Sequence, residues 1–239
     1  MRDDQIFSFN FWPAFADLML SLILILLLVI GGAYFSSIDF RSIQKKQKDV
    51  AETLITPERK KKSVDGGVEI LTAGGELLYR LTEDPNDPML QVVTFSDSLL
   101  FESGKCALTD RGKAAIREIG QVLTAHLADN VEIQIRGHAD TDPIGVGTGY
   151  QDNLALASAR ANEVFRFLKD DVHISPIDHL MSASSFDQFS PVQRSRNTPF
   201  DAASLAQANA TDDLKKANRR IELLLFYSRP NARKHHAEK

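Results

Sequence analysis

From Phe11 to Phe35 the chain is apolar almost without a break, FWPAFADLMLSLILILLLVIGGAYF, and its one charged residue there is Asp17. About 20 apolar residues in a helix cross the hydrocarbon core of a bilayer, so this stretch reads as a transmembrane helix. Pro13 fits its first turn, and Asn10 is a candidate cap. A carboxylate inside such a helix costs roughly 2.5–3.5 kcal/mol at the bilayer centre, which marks Asp17 as an ion site, a proton relay or a helix-pairing group. Beyond it the pattern changes. Ile38 to Ser63 is charged and helix-prone, with Ile43, Val50 and Leu54 at seven-then-four spacing and Gln47 between them. That is the fragment of a heptad seam and suits a short parallel two-stranded coil; a solvated linker helix is the other reading. Pro57 and the run Arg59-Lys60-Lys61-Lys62 end it.

A soluble domain follows. Gly66-Gly67 and Gly74-Gly75 punctuate a small hairpin or strand pair. Leu90 to Phe95 (LQVVTF) predicts a strand. Thr109 caps a predicted helix to about Leu127, with Ile116, Ile119, Val122 and Leu123 on one face. Val131 to Arg136 (VEIQIR) alternates with the period of a half-buried strand. A Gly- and Asp-rich loop, 137–152, leads to a helix opened by Asn153, its core face Leu154, Ala157, Ala161, Val164 and Leu168. His179 to Ala183 is a short strand. The connection from Phe186 to Leu214 is long enough to be functional, mobile or partly helical. Arg219 to Tyr227 closes the pattern as a buried strand. The expected fold class is a single N-terminal transmembrane helix followed by an α+β domain, a mixed sheet with helices on one face.

Composition narrows the classes. The chain has 239 residues and a formal net charge of −4, which speaks against nucleic acid as a partner. Cys106 is the single cysteine, so no intrachain disulfide forms; it reads as a small buried residue, with an intermolecular bridge as the other reading. The N-terminal segment reads as an uncleaved signal anchor, because its apolar run is long and contains an acid. The cations after it (Arg41, Lys45, Lys46, Lys48) outnumber Arg2 before it, and this bias alone would place the soluble domain in the cytoplasm.

The densest polar cluster is Gly137-His138-Ala139-Asp140-Thr141-Asp142-Pro143, directly after a strand, where a loop presents side chains. Arg160 lies on the helix that follows. A carboxylate and a guanidinium so placed grip a zwitterion, or pair with one another as a structural salt bridge. His138 beside Asp140 and Asp142 has neither the spacing of a metal site nor a nucleophile near it in sequence, so an enzyme is not expected and no cofactor or metal is implied.

The C-terminal part resembles the OmpA-like peptidoglycan-binding domain. The resemblance rests on LLFESGKCALTDRGKAAI (Leu99–Ile116), IQIRGHADTDP (Ile133–Pro143), NLALASARANEVFRFL (Asn153–Leu168) and NRRIELLLF (Asn218–Phe226). It implies that Asp140 and Arg160 hold the ammonium and carboxylate of diaminopimelate in the peptidoglycan stem peptide, with Asn153 lining the same pocket. Ala139 and Ala157 stand where the family pattern has Thr and Ser, and the connection before Asn218 is longer than its pattern. At the other end PAFADLMLSL resembles the stretch opening the transmembrane helix of MotB-type stator subunits. There the matching acid, here Asp17, binds the translocated ion, usually a proton.

The two resemblances imply one organisation: a cytoplasmic lead, 1–10; a transmembrane helix, 11–36; a linker with a short coil or plug, 37–66; an OmpA-like domain, 67–228; and a loose tail, 229–239. They imply a single pass through a bacterial inner membrane, N-terminus inside, with the soluble domain in the periplasm against the charge bias. The implied function is a peptidoglycan-anchored subunit of an ion-driven rotary motor, a parallel dimer inside a ring of MotA-like multi-span partners. It would serve motility or, as in ZorB-like subunits of Zorya systems, anti-phage defence. The alternative is a passive tether in which Asp17 only pairs helices.

Overall fold

The computed structural model describes residues 11–54, 59–64, 66–84, 86–126, 131–145, 147–194 and 198–227, and of 35–40, 126 and 131 the backbone alone. The lead with Asn10 and the tail lie outside these residues. The chain divides into one unit up to Ser42 and another from Ile43 on.

Helix α1 (Trp12–Thr53) is 42 residues long. Pro13 sits in its first turn, where the missing N–H leaves no bond unmade. Within the first unit, Trp12–Tyr34 is 23 residues long and apolar enough to cross a membrane, and none of it is buried in protein. At its start Phe11, Trp12 and Phe15 stack and meet edge-on, with ring centroids 5.2 to 6.3 Å apart, a placement that suits a membrane–water boundary.

The second unit is built on strands β1 (Arg59–Val64), β2 (Gly67–Thr72), β3 (Leu77–Asp84), β4 (Asp87–Ser96), β5 (Val131–His138), β6 (Met181–Asp187) and β7 (Arg220–Tyr227). They form one sheet in the order β1-β2-β3-β4-β7-β5-β6, antiparallel except for the parallel pair β5–β6. The helices are α2 (Asp97–Leu100), α3 (Asp110–His126), α4 (Asn153–Asp170), α5 (Ala202–Gln207) and α6 (Asp212–Asn218). The fold class is the expected one: one apolar N-terminal helix, and a mixed sheet whose inner face is covered by helices.

Alternation along each strand decides which face is buried. The inner side chains Ile70, Tyr79, Leu81, Val93, Phe95, Ile133, Ile135, Ile221, Leu223 and Leu225 form a core with Ile116, Ile119 and Leu123 of α3 and Ala161, Val164 and Leu168 of α4. On α4 the buried stripe also takes Leu156 and Phe167, while Leu154, expected in it, is exposed. Thr109 caps α3 as its position predicts, accepting from Gly112 N at 3.0 Å. The long connection contains α5 and the start of α6. Cys106 is only half-buried.

The stretch read as a linker belongs to this unit. Ile43, Gln47, Val50 and Leu54 are all at most 2 % exposed and close the core. Gln91 Nε2 donates to Gln47 O at 3.2 Å, and Gln47 Nε2 donates to Pro88 O at 3.2 Å. The stripe is thus a lid on the chain's own sheet rather than a coil seam or a solvated helix. The basic run is the edge strand β1, where Arg59 bonds Glu118 of α3 at 2.7 Å and Lys62 pairs with Glu69 at 3.4 Å. Lysines on an edge strand also deter pairing with another chain.

On the outer face one row of in-register residues crosses all the strands: Lys62, Glu69, Arg80, Thr94, Glu222, Arg136 and Ser184.

Candidate functional site

Four pieces of chain meet at one end of the sheet. Strand β5 delivers the loop after His138. Helix α4 starts beside it. The β4–α2 junction and the first residue before β7 close the other side. Gly137 permits this meeting, because a Cβ there would stand 2.3 Å from the carbonyl oxygen of Ala157. No residue but glycine lets β5 and α4 approach so closely. Gly104 supports the facing loop with φ +69 and Thr148 packed over it.

Asp140, Asn153 and Arg160, the residues singled out in the sequence, line one cavity of about 530 Å³, together with Asp97, Phe101, Asp142, Thr148 and Arg219. Asp17 lies in the other unit, on α1, and takes no part in this cavity. Asp140 is 3 % exposed and Arg160 is 7 % exposed. These two do not pair with each other. Asp140 is held by Arg219. Arg160 Nη1 stands 2.8 Å from Asp97 Oδ1. Arg160 is further fixed by Nε donating to Lys105 O at 2.9 Å, Nη2 donating to Glu102 O at 3.4 Å, and the Phe101 ring 5.0 Å from its guanidinium carbon. At the rim Lys215 pairs with Asp142 at 2.5 Å.

Asn153 Nδ2 donates to Asp140 O at 3.2 Å and to Asp142 O at 2.7 Å. Its amide hydrogens are thereby committed to the loop, so Asn153 fixes where Asp140 stands and leaves only its Oδ1 for a guest. Asp142 N donates to Asp140 Oδ1 at 3.1 Å, which sets the carboxylate's direction. Asp152 caps α4 by accepting from Ala155 N at 2.8 Å.

The electrostatics follow from burial. Burial pushes the Asp97 carboxyl up from its ordinary value, against the pull of Arg160 and then Arg219. Burial likewise lowers Arg160, opposed by Asp97. The bond to Asp142 raises Lys215. Opposite charges thus face one another in a partly dry cavity, an arrangement suited to a ligand that carries both signs.

Asp97, Arg219 and Lys215 were not singled out in the sequence. Arg219 and Arg220 are neighbours, and strand alternation sends them apart: Arg219 to Asp140, Arg220 to the outer face, where it bonds Glu222 at 2.8 Å and Ser190 O at 3.1 Å. That alternation was readable in the twin arginines. The partners were not, because they lie far away in sequence.

A model described as the OmpA family matches residues 100–212. Over those residues the chain is similar to the OmpA family. The match takes in the loop of Asp140 and all of α4. Motility protein B of Bacillus subtilis (strain 168) is 25 % identical over 135 residues, 56 % of this chain and 44 % of that protein, so the chain spans less than half of its relative's length. Among solved structures, a MotB-like protein from Desulfovibrio vulgaris superposes with a TM-score of 0.51 at 17 % identity, over 63 % of this chain and 82 % of that one. The periplasmic domain of Helicobacter pylori MotB gives 0.50 at 20 % identity, over 75 % and 94 %. Over that stretch the chain is similar to motility protein B, and its second unit shares the fold of these structures.

A larger groove of about 1170 Å³ runs along the outer face of the sheet, walled by Pro191, Val192 and Phe200 of the long connection. There Glu222 pairs with Arg220 at 2.8 Å, and its Oε2 also lies 3.1 Å from His138 Nε2. The smaller cavity is the one that gathers the residues singled out in the OmpA motif.

Proposed function

We propose that this protein anchors an ion-driven rotary motor of the inner membrane to peptidoglycan. The observation that carries the anchoring role is the cavity that gathers Asp140 and Arg160, both nearly buried and of opposite charge, so that one guest bearing both signs meets both. In this reading Asp140 takes an ammonium and Arg160 a carboxylate of the stem-peptide diaminopimelate, and Asn153 holds the Asp140 loop. The protein works by binding, not by catalysis. The MotB homology supports the rest. Helix 11–36 spans the membrane once with the OmpA domain in the periplasm, and two copies stand in parallel inside a ring of MotA-like multi-span partners. Asp17 binds and releases the ion, usually a proton. Neutralising it removes the cost of a charge in lipid and biases its contact with the ring, so flow becomes rotation against the fixed wall anchor. The process served is motility or anti-phage defence.

Two experiments test this. In a pulldown with purified cell-wall fragments, Asp140→Asn abolishes capture of the full chain, with folding checked by circular dichroism; undiminished capture moves the pocket elsewhere. Asp17→Asn leaves wall binding intact and stops ion flux through the assembled complex. Flux that persists in this variant supports a passive tether instead.

A further inference from the structure

The two buried ions of the cavity are held very differently. Arg160 is gripped at Nη1 by Asp97, at Nε and Nη2 by the carbonyls of Lys105 and Glu102, and on its face by Phe101. Its side chain is 9 % exposed and that of Asp97 is 14 % exposed. In the second pair the Asp140 side chain is 5 % exposed but that of Arg219 is 39 % exposed. Releasing Arg160 would break several bonds and strand a charge in the interior. Releasing Arg219 breaks one ion pair and moves a guanidinium already half in water.

We infer that Arg219 is a displaceable occupant of Asp140, and that this makes the site select a ligand group bearing an ammonium and a carboxylate together over one bearing an ammonium alone. The inference rests on the wall-binding reading above and names what sets its specificity. An ammonium arriving at Asp140 takes the place of Arg219. The freed guanidinium stays tethered at the start of β7, lining the same cavity as Arg160. A carboxylate on the same carbon as the ammonium then lies between two guanidinium groups. One internal pair is lost and two pairs to the ligand form. A plain ammonium, as on a lysine side chain, only trades one pair for another and leaves Arg219 without a partner. A carboxylate without an ammonium cannot release Asp140 at all. Discrimination therefore comes from an internal competitor that only the zwitterion repays.

The test is calorimetric titration of the full chain in detergent with stem tripeptides that differ only in the third residue: diaminopimelate, lysine or 2-aminopimelate. The wild type binds the first at least about tenfold tighter than either of the others. Arg219→Gln narrows the diaminopimelate-to-lysine ratio by about tenfold, chiefly because the lysine peptide binds more tightly to the vacated Asp140. Arg219→Lys, which keeps a cation on Asp140, retains most of the ratio and shows that the variants fold. An Arg219→Gln variant that weakens all three peptides by one common factor, or leaves the ratio unchanged, overturns the inference while the wall-binding reading stands. A wild type that binds none of the three removes both.

Discussion

The side-chain amide of Gln91 bridges two distant parts of the chain: its Nε2 donates to the main-chain carbonyl of Gln47 at 3.2 Å, while its Oε1 accepts from the Tyr227 hydroxyl at 2.8 Å. Gln91 is itself 3 % exposed. Leucine at this position would strand the Tyr227 hydroxyl, whose proton is already held more tightly because of burial. Gln91→Leu is expected to lower stability by about 1–3 kcal/mol, read from urea unfolding of residues 43–239. Val50→Asp should unfold the same domain in monomeric form. A stripe that served only as a coil between two chains would leave the monomer's stability unchanged.

Gly137→Ala sets a methyl group against backbone, 2.3 Å from Ala157 O and 2.9 Å from its carbonyl carbon. The strand or the helix must move. The expected cost is at least about 2 kcal/mol in unfolding free energy. Wall-fragment capture should fall with it, because α4 carries Asn153 and Asn153 holds the Asp140 loop.

Glu222 makes the domain sensitive to acid. Burial favours its neutral form, yet the bonds to His138 and Arg220 outweigh this and hold its carboxyl at about 2, against an ordinary 4.5. The folded value lies below the unfolded one, so the stabilisation is fully present above pH 4.5 and is lost as pH falls towards 2. The gap corresponds to about 3 kcal/mol. Glu222→Gln should be less stable at neutral pH and show a flatter stability curve between pH 4.5 and 2; chemical denaturation across that range reads the difference. His138 is lowered as well, its burial pushing it below the usual imidazole range against the bond to Glu222.

Thr148 lines the candidate cavity, and among the described residues its buried Oγ1 has no hydrogen-bond partner. Thr148→Val should therefore stabilise the domain by about 1 kcal/mol in thermal unfolding. A simultaneous fall in wall-fragment capture would show that the hydroxyl serves the ligand.

Much of the fold could be read from local pattern. The alternation of VEIQIR gave β5, and the spacing of Ile116, Ile119 and Leu123 gave the inner face of α3. Three features could not be read so. A helix buries one stripe with the same spacing whether it faces a partner helix or its own sheet, so Ile43, Val50 and Leu54 left the choice open. The strand RKKKSV has no apolar alternation because its position at the edge exposes both faces. The charge partners in the cavity were hidden for a different reason: Asp140 and Arg219 are 79 residues apart, and only the sheet order brings them together. Asp140, Asn153 and Arg160 were legible through motif, whereas what holds each of them required the coordinates.

The order of the sheet has a consequence for how the protein is made. Strand β7, the last in the chain, lies at the centre between β4 and β5. Everything synthesised before Arg220 can form only two separate pieces, β1–β4 and β5–β6, with no strand to join them. Arg219, which takes up Asp140, emerges at the same moment as that joining strand. The apolar helix is made before the domain and can enter a bilayer while the domain is still without its keystone. Entry of that helix into a bilayer can thus precede completion of the cavity, which waits for β7.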